Sequence, residues 1–139
     1  MPIDPLENYP GYSLRRASAS SMAKLAERFT ALDLRPSEAS VLMVIDANAN
    51  ITQSEIGKML DIASANMAPL VSRLADRGLV ERQRVDGRSH GLVLTRTGIK
   101  IATKLKKVVA LHEEELLSKI PTEQREVFLT ALRALWSED

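Results

Sequence analysis

The stretch from Thr52 to Thr95 constrains the fold most, because two short helical patterns are followed directly by two strand patterns. Thr52 and Glu55 have the spacing of a capping box, in which each residue satisfies a backbone N–H of the other. This spacing predicts a short helix that starts at Gln53 or Ser54. A polar residue, Asp61, then separates this helix from the next apolar pattern.

A second helix is predicted from about Ser64 to Arg77. Its apolar stripe recurs at i, i+3, i+4 and i+7 and consists of Met67, Leu70, Val71 and Leu74. Gly78 is expected to end the helix, since glycine readily adopts the left-handed conformation of a C-cap. Two short helices joined by a tight turn form the helix-turn-helix arrangement, in which the second helix can enter a DNA major groove.

Two short strands are predicted next, Leu79–Val85 and Gly91–Thr95, joined by the strong turn signal Asp86-Gly87. Arg88-Ser89-His90 is expected to complete the tip of this hairpin. A hairpin directly after a recognition helix forms a wing. Arg88 is then placed to enter an adjacent minor groove, where a narrow A·T-rich stretch concentrates negative potential. Asp86 is expected to hold the wing by pairing with Arg88 or with a neighbouring arginine.

The side of the second helix opposite its apolar stripe is mostly small or polar, so it can approach the edges of bases closely. Pro69 is the unusual member, because proline removes a backbone donor and clashes with the preceding turn. Its ring either packs on DNA or simply marks a kinked helix. The residues predicted to contact DNA are Ser64, Ala65, Asn66, Pro69, Ser72, Arg73, Arg84, Asp86, Arg88, Ser89 and His90.

Several motifs in this stretch match one family in residue type, order and spacing. They are Arg73-Leu74, Arg77-Gly78-Leu79-Val80, Arg82, Asp86, Arg88, Leu94-Thr95 and Gly98. The block resembles the winged helix of MarR-type regulators (multiple antibiotic resistance regulators), and weaker similarity extends over nearly the whole chain. The resemblance implies a homodimeric repressor that binds a pseudo-palindromic operator and usually releases it when a small molecule binds. Pro69 departs from the polar residue that is commoner in the family.

Charge and composition favour a nucleic-acid partner over catalysis. The net charge is only +1, but residues 71–107 contain ten basic and three acidic residues, which is the local footprint of a phosphate binder. The absence of cysteine excludes disulfides, thiolate metal sites and thiol-based peroxide sensing. No nucleophile elbow or phosphate-cradling glycine loop occurs, so neither an enzyme nor a cofactor is expected.

The expected fold is mainly α with a small β component (α+β), a winged helix-turn-helix with extra helices at both ends. A length of 139 residues leaves no room for a second, enzymatic domain. We expect one compact domain, with an arm and first dimerisation helix at 1–34, the winged DNA-binding region at 35–98 and dimerisation helices at 99–139. No apolar run reaches transmembrane length and no signal region is present, so a cytoplasmic, nucleoid-associated location is expected.

The flanking segments carry larger apolar faces than a winged-helix core needs. Residues 1–11 contain several prolines and predict an extended arm, and Ile51 is expected to pair with the wing. Helices are predicted at about Tyr12–Leu32, Pro36–Ala47 and Arg96–Lys119, the last capped by Thr95, and from Pro121-Thr122 onward with Phe128, Leu132, Leu135 and Trp136 on one face. A long apolar helix with no internal partner of its own length is most simply explained by a symmetric dimer interface.

Tyr12, Arg15 and Arg16, with Tyr9 nearby, form a second cluster of interest. One interpretation is an effector pocket between the first helix and the long helix, where arginine pairs with a carboxylate and tyrosine stacks on an aromatic ring. The other is dimer packing and ion pairs. Arg15 and Arg16 lie about 100° apart on a helix, so only one is expected to face a given pocket. The expected effector is an aromatic acid, its thioester or a phenolic compound.

His112 and the three glutamates after it could suggest a metal site. His112 beside Glu113-Glu114-Glu115 predicts a solvated acidic patch and not a metal site, because consecutive residues do not share a helix face.

The alternative function is a winged-helix module that binds another protein and not DNA. Such a module would be expected to lack basic residues in and around the wing, whereas Arg73, Arg82, Arg84 and Arg88 are all present.

Overall fold

Residues 1–138, which the computed structural model describes, form six α-helices and three short β-strands. The helices are α1 (Pro10–Phe29), α2 (Pro36–Ala47), α3 (Gln53–Leu60), α4 (Ser64–Asp76), α5 (Arg96–Ser118) and α6 (Arg125–Ala134). The strands are β1 (Ile51–Thr52), β2 (Val80–Arg84) and β3 (His90–Leu94). Single 3₁₀ turns at Thr30–Leu32 and Thr122–Gln124 adjoin α1 and α6. This order confirms the predicted fold class.

The predicted starts of three helices are confirmed by their caps. The Glu55 N–H donates to Thr52 Oγ1 at 3.2 Å while the Thr52 N–H donates to Glu55 Oε1 at 3.2 Å, which is the expected capping box at the start of α3. The Gly98 N–H donates to Thr95 Oγ1 at 2.9 Å and caps α5. Pro36 is the first residue of α2, where its missing N–H costs nothing.

The junction between α4, the hairpin and α5 depends on two glycines. Gly78 follows α4 with φ of 72°, the left-handed conformation predicted for a helix C-cap. Gly98, in the first turn of α5, lies so close to Leu79 that a Cβ there would be 2.0 Å from the Leu79 carbonyl oxygen. The Thr95 N–H donates to that same oxygen at 3.0 Å. The base of the wing and the start of α5 are therefore fixed to the end of α4.

The small sheet has the order β1-β3-β2, and both strand pairs are antiparallel. Ile51 pairs with Leu92, which confirms that this residue adds a strand position to the wing. His90 pairs with Arg84 as the first residue of β3, so the prediction that His90 belongs to the tip is wrong. The physical reason is that the ladder continues close to the turn.

The core is centred on α2, which packs against α1, α3, α5 and β3. Its contributors Ala39, Val41, Leu42 and Ile45 are all buried. The other elements add Phe29, Ile56, Met67, Leu74, Leu92 and Leu105, each at most 2% exposed. The buried apolar residues lie between positions 29 and 105, so the central part of the chain supplies the core that holds α4 and the hairpin in place.

The two ends of the chain differ from their predicted bounds. α1 begins at Pro10, since proline suits a first helical turn, and the arm before it contains a turn at residues 5–8. α6 starts only after a 3₁₀ turn and ends at Ala134, so Trp136 lies beyond the helix. Asp139, the last residue of the predicted C-terminal region, lies outside the described residues. Within residues 1–138, no helix has the length and apolar character that a membrane span requires.

Candidate nucleic-acid interface

The α4 helix has one buried side and one open side. Its apolar stripe is at most 3% exposed and consists of Met67, Leu70, Val71 and Leu74. The residues predicted to face DNA from this helix are all exposed, namely Ser64, Ala65, Asn66, Pro69, Ser72 and Arg73. The helix is continuous through Pro69, so the proline is accommodated within it. Because the buried stripe fixes its rotation about its own axis, α4 presents a defined surface of small and polar side chains.

Two arginines at the end of α4 bind the segment that precedes α2 and the first turn of α2. Arg73 Nε lies 3.6 Å from Oε2 of Glu38, a buried carboxylate whose Oε1 accepts the Arg35 N–H at 2.9 Å. Arg77 donates to the backbone carbonyls of Asp33 and Leu32. Arg73, predicted to contact DNA, therefore also has a partner inside the protein. Its positioning role was missed, because a sequence does not reveal that Glu38 is buried beside it.

The tip of the wing is held by one carboxylate. Asp86 Oδ1 accepts the backbone N–H groups of Arg88 at 2.8 Å and Ser89 at 2.7 Å. These two hydrogen bonds hold the pKa of Asp86 below its ordinary value, since they stabilise the charged form. The Val85 N–H donates to the Ser89 carbonyl at 3.0 Å and closes the loop. Asp86 therefore shapes the tip from within.

The expectation that Asp86 pairs with an arginine is wrong. Among the described residues its carboxylate makes no ion pair, because its oxygen is turned toward the backbone amides of the tip. Arg88 is exposed, and along residues 1–138 no carboxylate lies within ion-pair distance of it. The carboxylate thus orders the loop without neutralising the guanidinium at its end.

Basic side chains continue from the tip along the hairpin. Arg82 and Arg84 are exposed and, two residues apart on β2, lie on the same face of the strand, about 7 Å apart. His90 is exposed opposite Arg84, and Ser89 is half-buried. The wing therefore carries three arginines in a row toward its tip, a surface suited to phosphate oxygens.

The cluster near the start of α1 is brought together, but not at the predicted pocket. Tyr12 donates its hydroxyl to Asp4 Oδ2 at 3.1 Å, and Arg16 Nη1 donates to the Tyr12 hydroxyl at 2.8 Å. The guanidinium carbons of Arg15 and Arg16 lie 5.5 and 5.7 Å from the centre of the Tyr12 ring. Both arginines therefore contact one ring, and the expectation that only one of them faces a ligand pocket stays a prediction, since neither lines a described cavity.

A cavity does exist between α1 and α5, but Tyr12, Arg15 and Arg16 do not line it. His112 lies at this cavity and is only 5% exposed, with Nε2 3.0 Å from Ser21 Oγ. The prediction of a solvated patch is therefore wrong for His112, which faces α1 while Glu113 and Glu114 remain exposed. No group of metal ligands forms within the described chain.

A helix-turn-helix followed by a basic hairpin defines the winged-helix class of DNA-binding proteins. A sequence profile of the MarR family matches residues 32–89. The transcriptional repressor CouR, bound to a 23-mer DNA duplex, is 31% identical over 99% of both chains, with a TM-score of 0.90. The chain belongs to the MarR family, and so is a DNA-binding transcription regulator and not an enzyme.

Two further solved structures support the comparison. CouR bound to p-coumaroyl-CoA is 30% identical over 100% of this chain and 99% of that one, with a TM-score of 0.88. Wild-type MarR from E. coli, in its apo form, is 24% identical over 98% of this chain and 100% of that one, with a TM-score of 0.76, and shares the fold. Among curated protein sequences no match was found.

Proposed function

We propose that this chain is a homodimeric repressor that binds a pseudo-palindromic operator through α4 and the wing, and that an aromatic effector releases it. The observation that carries the proposal is the exposed polar face of α4, together with the exposed Arg88 at a wing tip that Asp86 orders. The full-length similarity to a DNA-bound repressor supports it. In this proposal α4 reads bases, the wing arginines bind the backbone and minor groove, and DNA binding associates the protein with the nucleoid.

The dimer is proposed from the apolar surface at the two ends of the chain. Within the described part of α6 no residue is buried, and Val127 and Leu129 are 71% and 46% exposed. Leu14 of α1 is exposed as well. A second copy would cover these faces, which assigns 1–34 and 99–139 to dimerisation and 35–98 to DNA binding. The two recognition helices would then meet half-sites about one helical turn, roughly 34 Å, apart.

The effector is proposed to lie in a groove between α1, α2 and α3. This groove has a volume of about 470 Å³ and is lined by Met22, Pro36, Ser37, Ser40, Leu60 and Ile62. Arg15 precedes Met22 by seven residues, so it lies on the same face of α1, about 10 Å further along the axis. An elongated anionic ligand could place its aromatic end in the groove and its charged end at Arg15, Arg16 and Tyr12. The relative that binds p-coumaroyl-CoA makes an aromatic thioester the first compound to test.

A direct mechanical route would connect this groove to the DNA surface. α1 ends in the 3₁₀ turn whose carbonyl at Leu32, with that of Asp33, accepts hydrogen bonds from Arg77 just beyond α4. A ligand that moves α1 relative to α2 would therefore also move the end of the recognition helix. The spacing of the two recognition helices would change, and operator affinity would fall.

The test is a fluorescence-anisotropy titration of the protein with the DNA upstream of its own gene, against a scrambled duplex of equal length. We expect tight, salt-dependent binding of the upstream duplex and much weaker binding of the scrambled one. Aromatic acids, their coenzyme A thioesters and phenols are then added to the complex. Because coupling is reciprocal, a compound that weakens operator binding must itself bind more weakly, by the same factor, when the operator is present.

Two results would contradict the proposal. Equal affinity for upstream and scrambled duplexes across several salt concentrations would leave only nonspecific binding and would favour the protein-contact module. Release from DNA by peroxide, with no response to any organic anion, would remove the effector part of the proposal while leaving the DNA-binding part intact.

A further inference from the structure

A separate cavity of about 180 Å³ lies between α1 and α5. Each helix contributes four residues at i, i+3, i+4 and i+7, which are Ala17, Ser20, Ser21 and Lys24 from α1 and His112, Glu115, Leu116 and Lys119 from α5 or its end. Ser20 and Met22 are two residues apart and therefore point about 200° away from each other on α1. The cavity is thus on the opposite side of α1 from the groove proposed for the effector.

The cavity exists because α1 presents only short side chains to α5 at this point. Ala17, Ser20 and Ser21 leave a gap that a leucine would fill. The floor of the gap is polar, since the buried His112 places Nε2 3.0 Å from Ser21 Oγ. When the His112 Nε2–H donates to Ser21 Oγ, the Ser21 hydroxyl hydrogen is free to donate to an acceptor in the cavity.

Positive charge collects at one end of the cavity. Lys24 and Lys119 face each other there, and the proximity of Lys24 lowers the pKa of Lys119 through a hydrogen bond and through like-charge repulsion. Glu115 also lines the cavity and acts in the opposite direction on Lys119, but its Oε2 is bound to Arg28. Glu115 is thus shared between Arg28 and Lys119, and its single negative charge offsets only part of the positive charge that Arg28, Lys24 and Lys119 bring to this region.

We infer that this cavity is a binding site for a small oxyanion, specifically a phosphate group held by Lys24 and Lys119 at its mouth, with Ser21 and His112 at its floor. A doubly charged phosphate matches two lysines, and removing their mutual repulsion would favour binding. The volume admits inorganic phosphate or the phosphate end of a small ester. The site would join α1 to α5 directly, independently of the DNA surface and of the effector groove.

The experiment uses the full-length protein and its two histidines as reporters, since His112 lies in the cavity and His90 lies on the wing. Imidazole resonances are followed by NMR while inorganic phosphate, or glycerol phosphate in a second arm, replaces chloride at constant ionic strength. We expect a saturable shift of His112. Lys24→Met and Lys119→Met should each raise the dissociation constant for phosphate about tenfold, because each removes one charge-assisted contact. Lys100→Met, at an exposed lysine of α5 outside the cavity, is the matched control and should leave it unchanged.

The two arms identify the source of the phosphate. Tighter binding of inorganic phosphate supports a site for the free ion, and tighter binding of glycerol phosphate supports one for a small phosphate ester. The proposal is overturned if neither compound shifts His112 saturably, as would happen if a partner subunit filled the cavity. It is also overturned if the Lys24→Met and Lys119→Met proteins respond like the Lys100→Met control. Operator binding, measured separately, would be unaffected by either failure.

Discussion

The winged body of the molecule (residues 29–105) and its two arms (residues 1–28 and 106–138) differ in how far their apolar side chains are buried. In the body, Leu42 and Leu74 are completely buried within a single copy of the chain. In the arms, Val127 is 71% exposed and Trp136 is 77% exposed. The apolar patterns that predicted these helices do not by themselves show which residues are buried within one copy of the chain. The comparison shows that the body can satisfy its own core, whereas the arms require something outside the chain.

The energetic meaning of this difference is direct. Fully burying a large apolar side chain contributes about 1.5–3 kcal/mol. Four exposed apolar residues on and just after α6 therefore represent a large driving force for association, namely Val127, Leu129, Leu135 and Trp136. The body gains its hydrophobic stabilisation on folding, while the arms would gain theirs on dimerisation. Stability of the body should therefore be independent of protein concentration, and stability of the arms should depend on it.

The largest effect is expected from deleting residues 121–139, which removes the exposed apolar face of α6. We expect aggregated or monomeric protein that has lost operator affinity, because a monomer binds one half-site without the gain of about 10²–10⁴ from simultaneous engagement of the second. Light scattering and anisotropy measure both properties. For the intact chain a mass of 15.4 kDa, that of the monomer, would refute the dimer and with it the assignment of the arms.

A pair of leucine substitutions compares the two regions directly. Leu42→Ala should lower the free energy of unfolding by about 2–5 kcal/mol at every protein concentration, because it creates a cavity in the body. Leu129→Ala, the matched change in the arms, should lower stability mainly at low protein concentration, where dimers dissociate. Denaturant unfolding at several protein concentrations measures the stability of each variant. If the two variants showed the same concentration dependence, the distinction between body and arms would be lost.

Within the body, Arg88→Ala should weaken DNA binding by about 1–3 kcal/mol and reduce the salt slope by about one ion. It should affect specific and scrambled duplexes alike, since a guanidinium in the minor groove carries little base identity. Asn66→Ala, on the open face of α4, should instead relax sequence preference with little change in slope. Titrations at several salt concentrations separate the two.

The control for this pair is Arg133→Ala, an exposed arginine of α6 whose change leaves the DNA surface intact. It should retain wild-type affinity once its dimer mass has been verified. Unaltered affinity and slope in Arg88→Ala would mean that the wing does not touch DNA, and would favour the protein-contact module over the repressor.

The sequence was informative wherever a local rule decides the structure. The Thr52 and Glu55 spacing predicted a capping box, Gly78 predicted a left-handed C-cap, and Asp86-Gly87 predicted the turn of the wing, and the structure has all three. Each of these features depends on residues a few positions apart. The order of such features, together with the motifs of the wing, was sufficient to predict both fold and family.

The sequence was uninformative where a residue's environment comes from distant parts of the chain. His112 stands among exposed glutamates in sequence, yet it faces Ser21, 91 residues away. Glu38 lies in the first turn of α2, and its second partner, Arg73, lies on another helix. Burial and ion pairing of this kind depend on how helices cross, which a helical pattern does not specify.

A smaller effect than that of Arg88 is expected from Arg73, and it separates a DNA contact from a positioning role. Arg73→Ala should reduce stability by on the order of 1 kcal/mol, since it leaves the buried Glu38 with fewer partners. Glu38→Gln should cause a similar loss, and the double variant should cost less than the sum of the two. Thermal unfolding and anisotropy are measured on all three. Weaker DNA binding by Arg73→Ala alone, with unchanged thermal stability, would identify Arg73 as a direct contact.

The smallest effect concerns the pH dependence of the wing tip. The pKa of Asp86 is lowered in the folded protein by the backbone N–H groups of Arg88 and Ser89, so its contribution is present at neutral pH and is lost as the pH falls through the folded-state pKa. We expect the protection of the Arg88 and Ser89 amides against exchange, measured relative to their intrinsic rates, to fall in that acidic range before the protection of Leu42 in α2 falls. Asp86→Asn should lower the protection of the tip amides already at neutral pH. An equal loss of protection in α2 and in the wing tip would show that the tip does not open as a separate unit.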